Sequence, residues 1–158
     1  MSWTVPFADV ALRLLAAAIA GMILGVDRKL AGKPAGMRTL GLVSLGAAVV
    51  AIATIEFADM ERHPDALSRV IQGIIQGVLT GVGFIGAGVI LQRERRGDVE
   101  GLTTAATIWV AAAMGIACAL AAWWVVAVGL IASIVLLLAL TPLDAWLFKL
   151  GNGDSDKS

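Results

Sequence analysis

The chain has one cysteine, one histidine, four prolines and no tyrosine among its 158 residues. Cys118 stands alone, so no internal disulfide can form, and a single thiol in an apolar run says little about redox compartment. His63 is equally alone. No thiolate and imidazole set for zinc can be assembled, and no serine or cysteine has an evident base to activate it. Charge is scarce too: 15% of residues are Asp, Glu, Lys or Arg, and 12 basic residues cancel 12 acidic ones. A net charge of zero gives no case for nucleic acid. These absences point away from an enzyme and from a nucleic-acid binder, and no cofactor is expected.

What the chain does have is apolar residues, 59% of the total, more than a soluble domain of this size carries. The expected class is all-α, a polytopic bundle of five membrane-spanning helices in one compact domain. The stretch VIQGIIQGVLTGVGFIGAGVIL (residues 70–91) has no charge and no proline. As a helix it covers roughly 33 Å, enough for a bilayer core of about 30 Å. Gly73, Gly77 and Gly81 fall on one face, with Gly83, Gly86 and Gly88 beyond them. Lipid gives no hydrophobic drive for helix pairing, so such small-residue faces are where backbones approach and pack. The stretch is therefore read as the centre of the bundle, its glycine face closing either the bundle itself or a homodimer. Gly81, Gly83 and Gly86 also spell a dinucleotide fingerprint, but that motif needs a preceding strand and a βαβ unit, and here it lies inside a span.

The other spans are predicted at residues 5–26, 40–57, 102–120 and 123–141. The first is preceded by no basic residue and outruns a signal-peptide core, so it is expected to be retained. It contains Asp9 and Arg13, four apart and able to pair at the membrane edge. Residues 102–140 carry no charge, which suits two helices joined by a tight turn near residues 119–124. Trp123 and Trp124 at that turn fit an aromatic belt. Thr141 and Pro142 are expected to end the fifth span. Residues 144–150 then form a short interfacial segment anchored by Trp146 and Lys149, and residues 151–158 a disordered polar tail. Lysines and arginines concentrate in the first and third loops and at the C-terminal end. The positive-inside rule then puts those loops and the C-terminus in the cytoplasm and the N-terminus outside.

The polar residues at that inner face form two groups. One is Asp27, Arg28, Lys33 and Arg38, with Thr39 and Ser44, in and beside a loop shaped by Gly32, Pro34 and Gly36. The other is residues 93–96, Asp98 and Glu100, followed by Thr103, Thr104 and Thr107 at the start of the fourth span. That helix start favours an anion or carboxylate, and Thr103 is a candidate cap. Asp27 and Glu100 are the carboxylates placed to hold Mg²⁺, weakly, since it takes oxygen ligands and keeps its waters. The plainer reading is that basic loops set topology and meet anionic headgroups, and that threonines at a helix start cap it.

GMILGVDRKLAGKPAGMRTLGLVSLGAA (residues 21–48), GVGFIGAGVIL (residues 81–91) and GLTTAATIWVAAAMG (residues 101–115) together resemble the MgtC/SapB family of bacterial inner-membrane proteins. The resemblance implies five transmembrane helices in the inner membrane. It also implies a non-enzymatic modulator of membrane physiology linked to Mg²⁺ limitation, to virulence, or to an F-type ATP synthase as partner. A transporter or channel for a cation or small solute is the alternative. The motif residues carried over are Asp27, Arg28, Lys33, Pro34, Gly36, Arg38 and Thr39, the glycines from Gly81 to Gly88 with Phe84, and residues 101–105 with Trp109. Departures are Asp27 for the usual glutamate, Lys29 for a second acid and Leu40 for a histidine. Many members continue into a cytoplasmic ACT-like domain; none is expected in these 158 residues.

Overall fold

The computed structural model describes residues 6–30, 33–57, 64–91 and 101–152. All five elements are α-helices: α1 (Phe7–Leu30), α2 (Met37–Phe57), α3 (Pro64–Leu91), α4 (Leu102–Ala119) and α5 (Trp123–Asn152). Four carry stretches long and apolar enough to cross a membrane, and α5 contributes the apolar run Trp123–Ala139. The helices alternate in direction. Arg28 near the end of α1 reaches the start of α4, and Arg13 near the start of α1 reaches the end of α4. The bundle therefore has an Arg28 end and an Arg13 end.

Helix limits differ from expectation in instructive ways. The first helix does not stop at Val26 but carries Asp27 and Arg28 in its last turns, where a hydrogen bond from Lys33 N–H to the Arg28 carbonyl (2.9 Å) closes it. Three consecutive charges, Asp27, Arg28 and Lys29, look like a membrane boundary in sequence; here the helix carries them on, and Arg28 finds acceptors on its inner face. The expected turn between the fourth and fifth spans is present at residues 120–122. Ala122 N–H bonds the Ala117 carbonyl and Ala121 N–H that of Cys118, both at 3.0 Å, with Ala121 left-handed at φ 53°. This is the Schellman pattern with alanine where glycine is usual. Thr141 and Pro142 do not end the last helix, and residues 144–150 continue it instead of forming a separate segment. A proline removes one backbone donor, a loss that membrane helices absorb through local adjustment. Of the expected polar tail, residues 151–152 are helical and residues 153–158 lie outside the described residues.

The centre of the bundle is α4, not α3. Ten of the 18 residues of α4 are buried, whereas α3 buries Ile74, Val82 and Gly86 and little else among its described residues. The close-packing glycines are accordingly elsewhere. A β-carbon on Gly21 would overlap the Leu40 carbonyl, and one on Gly115 the Ser44 carbonyl. One on Gly25 would stand 2.5 Å from the Met37 backbone nitrogen. These contacts draw α1 against α2 and α2 against α4. Alanines complete the seam: Ala17, Ala48, Ala51, Ala111, Ala112 and Ala119 are fully buried. The predicted packing role of Gly73, Gly77, Gly81, Gly83 and Gly88 within the bundle is thus corrected, because nothing lies within 4 Å of a β-carbon built on any of them. Gly86 alone of that set meets a neighbour, Ala105 of α4 at 3.2 Å. Spacing by four marks a small face but not what it faces.

This packing predicts opposite outcomes for two like substitutions. Gly115→Ala should destabilise the purified protein by about 1–3 kcal/mol through overpacking. Gly81→Ala should leave its stability unchanged within about 0.5 kcal/mol or raise it, since alanine is the better helix former. Thermal unfolding in detergent checks both.

Candidate functional site

The site is built around a guanidinium inside the bundle. Arg28 is 1% exposed, the largest fully buried side chain. Its Nε donates to the Pro34 carbonyl (3.4 Å), its Nη1 to Thr107 Oγ1 (3.5 Å) and its Nη2 to Thr104 Oγ1. Thr107 is prepared for this by its own helix. Its hydroxyl donates to the Thr103 carbonyl at 2.6 Å, one turn back. The proton is thereby committed and the oxygen's lone pairs remain for Arg28. A planar fork with five donors suits three acceptors set around it by a loop and a helix.

Three local features bring those acceptors into range. Gly25 lets the start of α2 press on α1. Ala35, left-handed at φ 57°, turns the chain between Pro34 and Met37. Gly101, at φ 98°, sits before α4 with Val89 O of α3 3.1 Å from where a β-carbon would be. Gly101 is also the N-cap, with no side-chain cap, so Thr103 does not fill the expected capping role. Its carbonyl serves Thr107 instead.

Beside Arg28 lies a cavity of about 500 Å³ between α1, α4 and α5. Asp27, Lys33, Thr103, Thr107 and Ser133 give it polar walls; Leu24, Ala106, Val110, Leu136 and Leu137 give it apolar ones. The structure therefore brings together Asp27, Arg28, Lys33, Thr103, Thr104 and Thr107. It does not bring Arg38, Thr39 or Trp109 to that place. Arg38 and Thr39 lie at a groove of about 620 Å³ between α2 and α3, and at a second hollow beside Met22 and Gly36. Trp109 is 46% exposed on the outer surface of α4. Glu100 lies outside the described residues. Two contributors were not foreseen. Ser133 is the only hydroxyl in the apolar run of α5, a signal that was available. The Pro34 carbonyl is backbone and leaves no mark in sequence.

Chemically the cavity wall offers three hydroxyls (Thr103, Thr107 and Ser133), one carboxylate and one ammonium. Among the described residues no group of three His, Cys, Asp or Glu side chains converges to hold a metal. Asp27 and Lys33 are the charged residues that line the cavity among the described residues. One carboxylate beside one ammonium, among hydroxyls, suits a polar or hydroxyl-rich group better than a bare divalent cation.

At the other end, Arg13 pairs with Asp9 (2.6 Å) as its spacing predicts, and its Nη1 also donates to the Ala119 carbonyl at 2.8 Å. A cation on the last carbonyls of α4 complements the helix dipole.

Comparison with known proteins gives a consistent picture. The MgtC family model matches residues 14–146. Protein SrpB of Synechococcus elongatus is 42% identical over 137 residues, 82% of this chain and 71% of that protein. The putative magnesium transporter YhiD of Escherichia coli K12 is 45% identical over 109 residues, 68% of this chain and 49% of that protein. Protein MgtC of Salmonella typhimurium is 39% identical over 109 residues, 69% of this chain and 42% of that protein. The chain thus spans less than half the length of the last two. No solved structure matches.

The geometry predicts that Arg28→Lys is not a conservative change. One ammonium cannot meet acceptors on the loop and on both threonines, so the variant should lose about 1–3 kcal/mol in thermal unfolding. Lys33→Arg, at the exposed rim of the cavity, should be silent within about 0.5 kcal/mol.

Proposed function

The chain belongs to the MgtC family, and from that premise we propose that it is a non-enzymatic modulator of membrane physiology under Mg²⁺ limitation. In this reading it lies in the bacterial inner membrane, N-terminus outside, with the Arg28 end toward the cytoplasm, as the Lys/Arg distribution of its loops favours. The cavity beside Arg28 is where a cytoplasmic ligand or a segment of a partner complex engages. An F-type ATP synthase is the first candidate partner, on family resemblance.

One observation carries the choice of modulator over conduit. Between the Arg28 and Arg13 ends the core is closed by Ala17, Ala20, Ala47, Ala48, Ala111 and Ala112, all buried. Ser44, also at 0% exposure, is a lone hydroxyl at that depth, its oxygen without a hydrogen-bond partner. A solute path needs polar groups in succession. Here Ser44 is the one polar side chain between the two polar ends, among the described residues of the core.

The second reading, a transporter, is favoured by the name of the YhiD protein as a putative magnesium transporter and by Asp27 in the cavity wall. The two readings part experimentally. In the host bacterium, loss of the chain should slow growth at low Mg²⁺, leave growth at high Mg²⁺ unchanged, and alter cellular ATP only in the first condition. Asp27→Ala, produced at the parental level, should fail to restore growth. Purified chain in liposomes should pass no Mg²⁺. Flux that disappears in Asp27→Asn would replace the modulator reading with the transporter one.

A further inference from the structure

The outward half of α3 is not built like a surface that meets lipid. Gln72, Gln76 and Thr80 recur every four residues and are exposed. Beside them lie Gly73, Gly77, Gly81, Gly83 and Gly88, each open to at least 4 Å where a β-carbon would stand. Ile75, Phe84 and Ile85 flank the face. The outward face of α5 is different, with Val125, Val128, Ile131 and Val135 more than half exposed. The apolar stretch Ser68–Leu91 is 24 residues, about 36 Å as a helix, and Gln76 and Thr80 fall near its middle. Neither glutamine side chain has a hydrogen bond among the described residues. At the depth of Gln76 neither water nor lipid tails supply donors or acceptors, so a primary amide left there is costly.

We infer that this face of α3 is the interface of a homodimer, two copies related by a twofold axis along the membrane normal. The occupant follows from the chemistry of the stripe. A primary amide offers both donors and acceptors, so a row of amides complements an identical row. A twofold axis brings the same patch of each copy together. The glycines leave the space that lets the two backbones come close enough for Gln72 and Gln76 to bond across the axis. The inference explains why the glycine-rich face is unused inside the bundle. It involves none of the residues around Arg28, so it stands or falls apart from the functional proposal.

The single native cysteine makes the test clean. In a Cys118→Ala background, Gly77→Cys and Thr80→Cys should form disulfide-linked dimers when native membranes are oxidised, and Val128→Cys on α5 should not. In liposomes at low protein density, Gln76→Leu and Gly77→Leu should each raise the dimer dissociation constant roughly three- to thirty-fold. Both should keep the parental melting temperature at monomer concentrations, because Gln76 is exposed and nothing lies within 4 Å of a β-carbon built on Gly77. Three results would overturn the inference: no oxidised dimer at either α3 position, equal crosslinking at Val128→Cys, or α3 cysteines that link only to a different protein.

Discussion

A guanidinium taken out of water must be met by acceptors, and Arg28 imposes that demand on everything around it. It cannot give up its charge, and leaving its donors unmatched would cost several kcal/mol. The loop after α1 supplies Pro34 O, and the start of α4 supplies Thr104 and Thr107. Those requirements fix where the loop turns and where α4 begins. They also fix the depth of α4 against α1. Arg13 and Arg28 are fifteen residues apart on α1, and their acceptors Ala119 and Thr104 are fifteen apart on α4. At about 1.5 Å per residue the two grips lie about 22 Å apart, one at each end of an antiparallel pair. A slip of one turn would strand both arginines.

Between those grips the helices are held by what their side chains lack. Gly21, Gly25 and Gly115 let backbones touch, and buried alanines fill the seam of α1, α2 and α4. Close approach gains dispersion contacts where lipid offers no hydrophobic drive. The same seam fills the middle of the bundle, with the polar cavity toward the Arg28 end.

The number of helices, their alternation and the turn at residues 120–122 were legible in the sequence, because span length, charge and turn chemistry are local. Which helix sits at the centre was not. The stretch 70–91 has the most regular glycine pattern, yet α4, with threonines and alanines, is the buried one. A small-residue face reports a capacity for contact and says nothing about the partner. The polar cluster was legible in part. Asp27, Arg28, Lys33 and the three threonines were named, but Arg28 was placed in a loop and not inside a helix. Adjacent charges signal a membrane boundary unless the acceptors that can take them inward are known, and one of these is a backbone carbonyl. Arg38, Thr39 and Trp109 share the motifs without sharing the cavity, since neighbours in a motif point to different sides of a helix.

The central claim is that the Arg28 side chain and the start of α4 act as one unit. A double-mutant cycle in thermal or denaturant unfolding, with Arg28→Met, Thr104→Val and the pair, measures it directly. Coupling of about 1.5–3 kcal/mol is expected, the range for a hydrogen bond to a charged group. Additive effects within about 0.5 kcal/mol would mean that the guanidinium and the threonine do not depend on each other, and the account would fail.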